Sequence, residues 1–330
     1  GGTATLIVTP QGRSVLLDAG WPEGRGVTRA PEGSPPGPPP PSSPARIIAA
    51  ARLMGLTRID YMVTTHYHVD HIGGVLDLMK AFPIGTFVDH GPNRELESAQ
   101  VRNNSPNSPK LLYDAYTAAI AGKPRRMMEV GDTLRVNDLV LTAVASDRQV
   151  IAPLPGAGGP GVGCDRARPH EENDEIENQH SLGLLATYGQ ARILALSDQV
   201  WNVENDLVCP IDRIGKVDLM FVNNHGSNTS TSPVIIDTLK PSAMIMLNGV
   251  TKGGSEEALT TLRTFPTMDV WQMHFAVRFP ALNYPADQIA NIEPMPNENW
   301  PLHINVLKSG DITVANARNG YSKTYPKASR

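Results

Sequence analysis

Apolar residues come in short runs separated by turn residues, and the period of each run predicts its element. Residues 4–8 and 14–18 flank Pro10-Gln11-Gly12 and read as a β-hairpin. Residues 45–53 place Ile47, Ile48 and Ala51 at helical spacing. A buried strand at 59–63, a helix at 75–82 and a short strand at 86–88 follow, then a helix at 111–120 and a strand at 139–144. Residues 181–188 and 192–196 form a second hairpin around Gly189-Gln190. Strands at 217–222 and 243–247 enclose a helix at 233–239; a helix at 256–263 and a strand at 270–272 come next. A last hairpin, 304–307 with 312–315, turns at Ser309-Gly310.

This order predicts an α/β fold of two mixed sheets packed face to face with helices outside. Two stretches break the pattern. Residues 31–44 are mostly Pro, Gly and Ser and read as an extended surface loop. Residues 150–178 are rich in Gly and Pro, then acidic, and read as an irregular excursion. Neither looks like a domain boundary, so residues 1–330 are expected to form one domain with two insertions.

Polar residues recur just past strand ends, where α/β folds build their sites. The densest group is His66-Tyr67-His68-Val69-Asp70-His71, between the strand at 59–63 and Gly73-Gly74. Divalent zinc takes imidazole and carboxylate ligands, three or four per ion. His66 and His68 are two apart on extended backbone and point the same way. Asp70 and His71 follow where the chain turns into a helix, placed for a second ion about 3.5–4 Å from the first. Further ligands are sought at later strand ends. Asp198 follows the strand at 192–196, His225 follows that at 217–222, and His180 begins the strand that runs on through 181–188. The set predicted is His66, His68 and His180 for one ion and Asp70, His71 and His225 for the other, with Asp198 between them.

Composition narrows the function. The net charge of −4 supplies no basic field for an extended nucleic acid, and 5% aromatic residues supply no platform for stacked bases. A small-molecule substrate is expected instead. No apolar run approaches the ~20 residues that span a bilayer. Cys164 and Cys209 are too few for a disulfide framework; one bridge and two separate thiols are both open.

The motif resembles the His-x-His-x-Asp-His signature of the metallo-β-lactamase-fold hydrolase superfamily. Asp198 sits where that family has its bridging aspartate and His225 where it has its last histidine. Asn178-Gln179-His180-Ser181-Leu182, Asn224-His225-Gly226-Ser227 and Leu239-Lys240-Pro241 look like segments of the metallo-β-lactamase domain of DNA-uptake competence proteins, with Asn224 in place of that branch's first histidine. The resemblance implies a four-layer αββα sandwich with a dinuclear site at one edge between the sheets. It also implies two divalent ions, Zn2+ first, with Mn2+ or Fe2+ as alternatives. The tail, with Trp271-Gln272-Met273-His274, resembles that of exported bacterial proteins of this type. Together with the start at Gly1-Gly2-Thr3, without Met, it leads us to expect an exported protein with a segment upstream; the cytoplasm is the alternative.

The chemistry implied is hydrolysis of an ester-like bond by a metal-activated hydroxide, with phosphodiesters favoured by the competence-like pattern. Asp70 would hold a metal and orient the nucleophile. Asn224, Asn228, Lys252 and His274 are candidate substrate contacts. A lactonase or β-lactamase acting on a small cyclic substrate is the alternative reaction. A non-catalytic metal-binding module is the alternative of another class.

Overall fold

A computed structural model describes residues 2–25, 41–95, 107–169, 176–292 and 299–328. Most of the proline-rich stretch, residues 31–40, and part of the acidic one, residues 170–175, lie outside these.

The first sheet is β1 (Thr5–Val8), β2 (Ser14–Leu17), β3 (Ile59–Val63), β4 (Ile84–Asp89) and β5 (Arg125–Met127), in that spatial order. β1 and β2 pair antiparallel and the rest parallel. The second sheet contains β6 (Thr133–Val136), β7 (Leu139–Ser146), β8 (Gln149–Val150), β9 (Gly183–Tyr188), β10 (Ala191–Ala195), β11 (Leu219–Val222), β12 (Ala243–Met246), β13 (Asp269–His274) and β14 (Ile289–Asn291). Its order is β14-β13-β12-β11-β10-β9-β7-β6, with β8 beside β7. From β10 through β14 the strands are parallel, and the β6–β10 half is antiparallel.

Side-chain alternation sorts the layers. Val15, Val63 and Val88 of the first sheet meet Leu134, Leu141 and Leu184 of the second. The intervening positions, Leu16, Met62 and Phe87, face outward onto α1 (Ser43–Leu53), α3 (Val75–Ala81) and α4 (Pro109–Ala119) through Ala51, Leu78 and Tyr116. On the far side Leu194, Met220 and Met244 carry α6 (Trp201–Val208), α7 (Pro233–Leu239) and α8 (Glu256–Arg263) through Leu207, Ile235 and Leu259. The result is helices, sheet, sheet, helices, as the sequence implied. Serine caps start α1, α7 and α8: Ser42, Ser232 and Ser255 each accept from the backbone N–H three residues on.

A third sheet is the main departure. β15 (Leu302–Val306), β16 (Ile312–Asn316) and β17 (Ser322–Tyr325) place Ile312, Val314 and Tyr325 on Leu219, Ile245 and Trp271. The second sheet is wider than the first, and this hairpin-based sheet covers the inner face of its parallel half. Sequence pattern also passed over β5, whose residues are all exposed, and α6, where Asn202, Asn205 and Asp206 dilute the apolar stripe. Cys164 and Cys209 are disulfide-bonded, tying the irregular segment after β8 to the end of α6. No helix among the described residues is long and apolar enough to cross a membrane.

Candidate metal centre

The site lies at the ends of β2, β3, β10 and β11. Beyond β3 the chain runs extended to His68, which starts the single turn α2 (Val69–Ile72). That turn brings Asp70 and His71 to the same side. Gly74 follows because any Cβ there would run into the Ala19 carbonyl beyond β2. His225 sits after β11 with φ of 54°, beside Asn224 at 43°, both left-handed. A side chain at Gly253, φ 68°, would strike the His225 backbone, so Gly253 lets the loop after β12 close over it.

Two groups of buried donors result: His66, His71 and Asp198, and Asp70, His71 and His225, each within 4.8 Å of one another. His71 Nε2 lies 3.3 Å from both Asp198 Oδ2 and His225 Nε2. His225 Nε2 is 3.0 Å from Asp70 Oδ2 and 3.3 Å from Asp198 Oδ2. His68 Nδ1 reaches His66 Nε2 at 3.2 Å. His180 lies outside both groups among the described residues. It does not open a strand, as the sequence reading had it, but ends the short helix α5 (Ile176–His180), and its Nδ1 is 2.5 Å from Asp147 Oδ1. The helical turn exists because Glu177, fully buried, reaches back to the motif loop: it accepts from the backbone N–H of Tyr67 and Arg94 and faces His90 Nε2 at 2.8 Å. His90 is thereby a buried partner of Glu177.

Each of the five histidines has one ring nitrogen held by an oxygen. His71 Nδ1 meets Asp18 Oδ2 at 2.8 Å, His68 Nε2 meets Glu95 Oε1 at 3.0 Å, and His225 Nδ1 donates to the Leu247 carbonyl at 2.9 Å. His66 Nδ1 lies 3.2 Å from Thr65 Oγ1, and His180 has Asp147. Fixing one nitrogen fixes the ring and presents the other, the arrangement typical of metal-binding histidines. Sequence reading missed Asp18, Glu95 and Asp147. Asp18 and Asp147, next past the ends of β2 and β7, carried one signal, a polar residue beyond a strand.

The donor chemistry fits a cation. Burial opposes the charges of Asp70 and Asp198, yet His71, His225 and, for Asp70, Lys252 outweigh it and hold both carboxyls well below the usual range. Burial also opposes protonated His71 and His225, but Asp198, joined at His71 by Asp18 and Asp70, holds both above the usual imidazole value. His66 is pushed well below it by burial and by His71. Protons and Lys252 thus gather as positive charge around two buried carboxylates. A divalent ion supplies that charge directly while displacing the protons.

The candidate substrate contacts separate. Lys252, half-exposed, pairs with Asp70. Asn224 is buried and its amide donates to Thr229 Oγ1 at 3.4 Å; Asn228 is exposed. His274 ends β13; its Nδ1 is buried without a hydrogen-bond partner, and burial depresses its pKa to about 3. None of its hydrogen bonds reaches the His/Asp cluster. A cavity of ≈ 40 Å³ adjoins the cluster, lined by Thr3, Asp18, His71, Asp198, His225 and Phe221 among others.

Helices on both outer faces of two stacked mixed sheets, with a buried His/Asp cluster at the strand ends, define an αββα sandwich with a candidate metal site. The chain belongs to the metallo-β-lactamase superfamily, whose family model matches residues 1–168. That model describes the superfamily as a whole and does not single out the competence branch. Solved structures that resemble this chain do so at low identity. The metallo-β-lactamase fold protein YhfI from Bacillus subtilis is 10% identical, with TM-score 0.42, over 82% of this chain and 88% of that one. A putative metal-dependent hydrolase from Parabacteroides distasonis is 14% identical, with TM-score 0.38, over 82% and 98%. MEM-A1, a subclass B3 metallo-β-lactamase from a soil metagenome library, is 16% identical, with TM-score 0.33, over 60% and 57%. No curated protein matches the chain.

Proposed function

We propose that this protein is a metal-dependent hydrolase of an ester-like bond in a small anionic substrate, with phosphodiesters favoured. The observation that carries the reading is the convergence of His66, Asp70, His71, Asp198 and His225 donor atoms in one buried cluster, with the other nitrogen of each of these histidines held by oxygen. His66, His68, His180 and Asp198 would hold one divalent ion, and Asp70, His71, His225 and Asp198 the other. His180 would join the set through Nε2, since Asp147 occupies Nδ1. Bound there, zinc or a similar ion supplies Lewis acidity and lowers the pKa of water toward neutrality.

The chain's own residues do the rest. Asp18, Glu95, Asp147 and the Leu247 carbonyl hold four rings in place. Asp70, fixed on α2 and buried, orients the attacking oxygen. Lys252, on the loop closed over His225 and partly open to solvent, offers a cation to the substrate's anionic group. We further read the whole chain as one domain. Its Cys164–Cys209 bridge supports export to an oxidising compartment.

The test is metal analysis of the purified protein and of His180→Ala, followed by turnover of bis-p-nitrophenyl phosphate, a lactone and nitrocefin. Wild type should bind two ions per chain, His180→Ala fewer, and the phosphodiester should turn over fastest. A lactone or nitrocefin cleaved faster moves the protein to the alternative reaction. Metal bound without turnover of any of the three makes it a binding module.

A further inference from the structure

Glu204, on α6, is fully buried, and no cationic side chain among the described residues pairs with it. A buried carboxylate without compensation is costly. Its compensation comes from one place. Oε1 accepts from the Thr231 backbone N–H at 2.6 Å and from Asn223 Nδ2 at 2.7 Å, and Oε2 accepts from the Ser232 N–H at 2.6 Å. These donors stand at the two ends of segment 223–232, the loop that carries His225 from β11 to the cap of α7.

That loop needs a clamp. Asn224 and His225 both have positive φ, a conformation that side-chain-bearing residues hold only when the surroundings over-determine it. Within the loop, Asn223 N–H donates to Thr231 Oγ1 and Ser230 Oγ donates to the Asn223 carbonyl. Glu204 is the element outside the loop that joins both of its ends through side-chain oxygens.

We propose that Glu204 is a positioning residue for His225: by closing 223–232 it fixes the left-handed turn, and with it where His225 Nε2 stands relative to Asp70 and Asp198. The inference rests on the metal-centre reading for its consequence, not for the clamp itself. Glutamine is the informative replacement. It keeps the shape but turns one acceptor into a donor facing an N–H.

The test compares wild type with Glu204→Gln in two measurements. In metal-free protein, amide hydrogen exchange over 223–232 should be at least tenfold faster in the variant and unchanged elsewhere. By chelator competition at a temperature where both proteins are folded, zinc should bind the variant at least tenfold more weakly, as for other residues that orient ligands. Unchanged exchange in the loop, or zinc affinity within twofold of wild type even with a lowered Tm, overturns the proposal. Asn223→Ala, which removes one donor and leaves two, covers the case in which Glu204→Gln does not fold; it should weaken zinc binding in the same direction, and no change would likewise overturn the proposal. Wild type that binds no zinc would defeat the metal-centre reading, while the exchange result still decides the clamp.

Discussion

Asp18 is where the geometry makes its sharpest demand. Its carboxylate takes the Thr65 amide at 2.8 Å on Oδ1, and on Oδ2 the Thr65 hydroxyl and His71 Nδ1, both at 2.8 Å. A carboxylate only accepts, so neutral His71 must carry its proton on Nδ1 and present a bare Nε2 to Asp198 and His225. Asp18→Asn breaks this in either orientation. With the amide NH2 toward His71, the ring must protonate Nε2 and cannot ligate from it. With the NH2 toward Thr65, a buried backbone N–H loses its acceptor, at roughly 1–3 kcal/mol. Groups that orient ligands in this way are worth about 10–100-fold in metal affinity, or roughly 1.4–2.7 kcal/mol. The variant should therefore bind zinc 10–100-fold more weakly in competition with a fluorescent chelator while remaining folded by circular dichroism. Zinc affinity within threefold of wild type would refute the assignment of Asp18 as the group that sets the His71 tautomer.

Two further outcomes follow from structure outside the cluster. Cys164 and Cys209 close a loop across a sequence separation of 45, for which chain entropy gives about 4 kcal/mol. At about 0.7 kcal/mol/K of unfolding entropy for a chain this long, the double Cys→Ser variant should melt about 6 °C lower than wild type; an unchanged Tm, or thiols that titrate in denatured protein without reductant, would count against the bridge. His274 is depressed by burial to about 3, against a reference of 6.5 in the unfolded chain. Between those values the unfolded chain binds a proton that the folded chain refuses, so this residue costs stability as pH falls through 6.5 toward 3. His274→Gln should lose less stability than wild type between pH 7 and pH 4.5 in urea titrations, and equal losses would contradict the burial of a neutral ring.

The parts of this molecule legible in sequence were those fixed by local pattern. The run Ile59–Val63 and the motif behind it announced a strand and a polar loop whose His66, Asp70 and His71 enter the buried cluster, because burial and donor chemistry constrain residue type at close spacing. The helices Pro233–Leu239 and Glu256–Arg263 carry serine caps and apolar stripes and fall where periodicity placed them. Long-range partnerships were opaque. Asp18 and His71 are 53 residues apart, and Glu204 and Ser232 are 28 apart. Nothing local to either residue says whether its carboxylate is a cap, a surface charge or a hydrogen-bond hub. His180 shows the same limit. Its neighbours read as the start of a strand, but Glu177 draws that segment into a helical turn through contacts with residues far back in the chain. Two strands of the third sheet are the hairpin read at 304–315, but its alternation does not reveal which face of another sheet it covers.

The buried His/Asp cluster is proposed to hold the metal that drives hydrolysis. The most direct measurement is metal content per chain by plasma mass spectrometry, paired with bis-p-nitrophenyl phosphate turnover before chelation, after chelation and after zinc is restored. Two ions per chain are expected, with activity lost with the metal and regained with zinc, and neither in a His71→Ala/His225→Ala variant that still folds. Fewer than one ion per chain, or turnover that survives chelation, would contradict it.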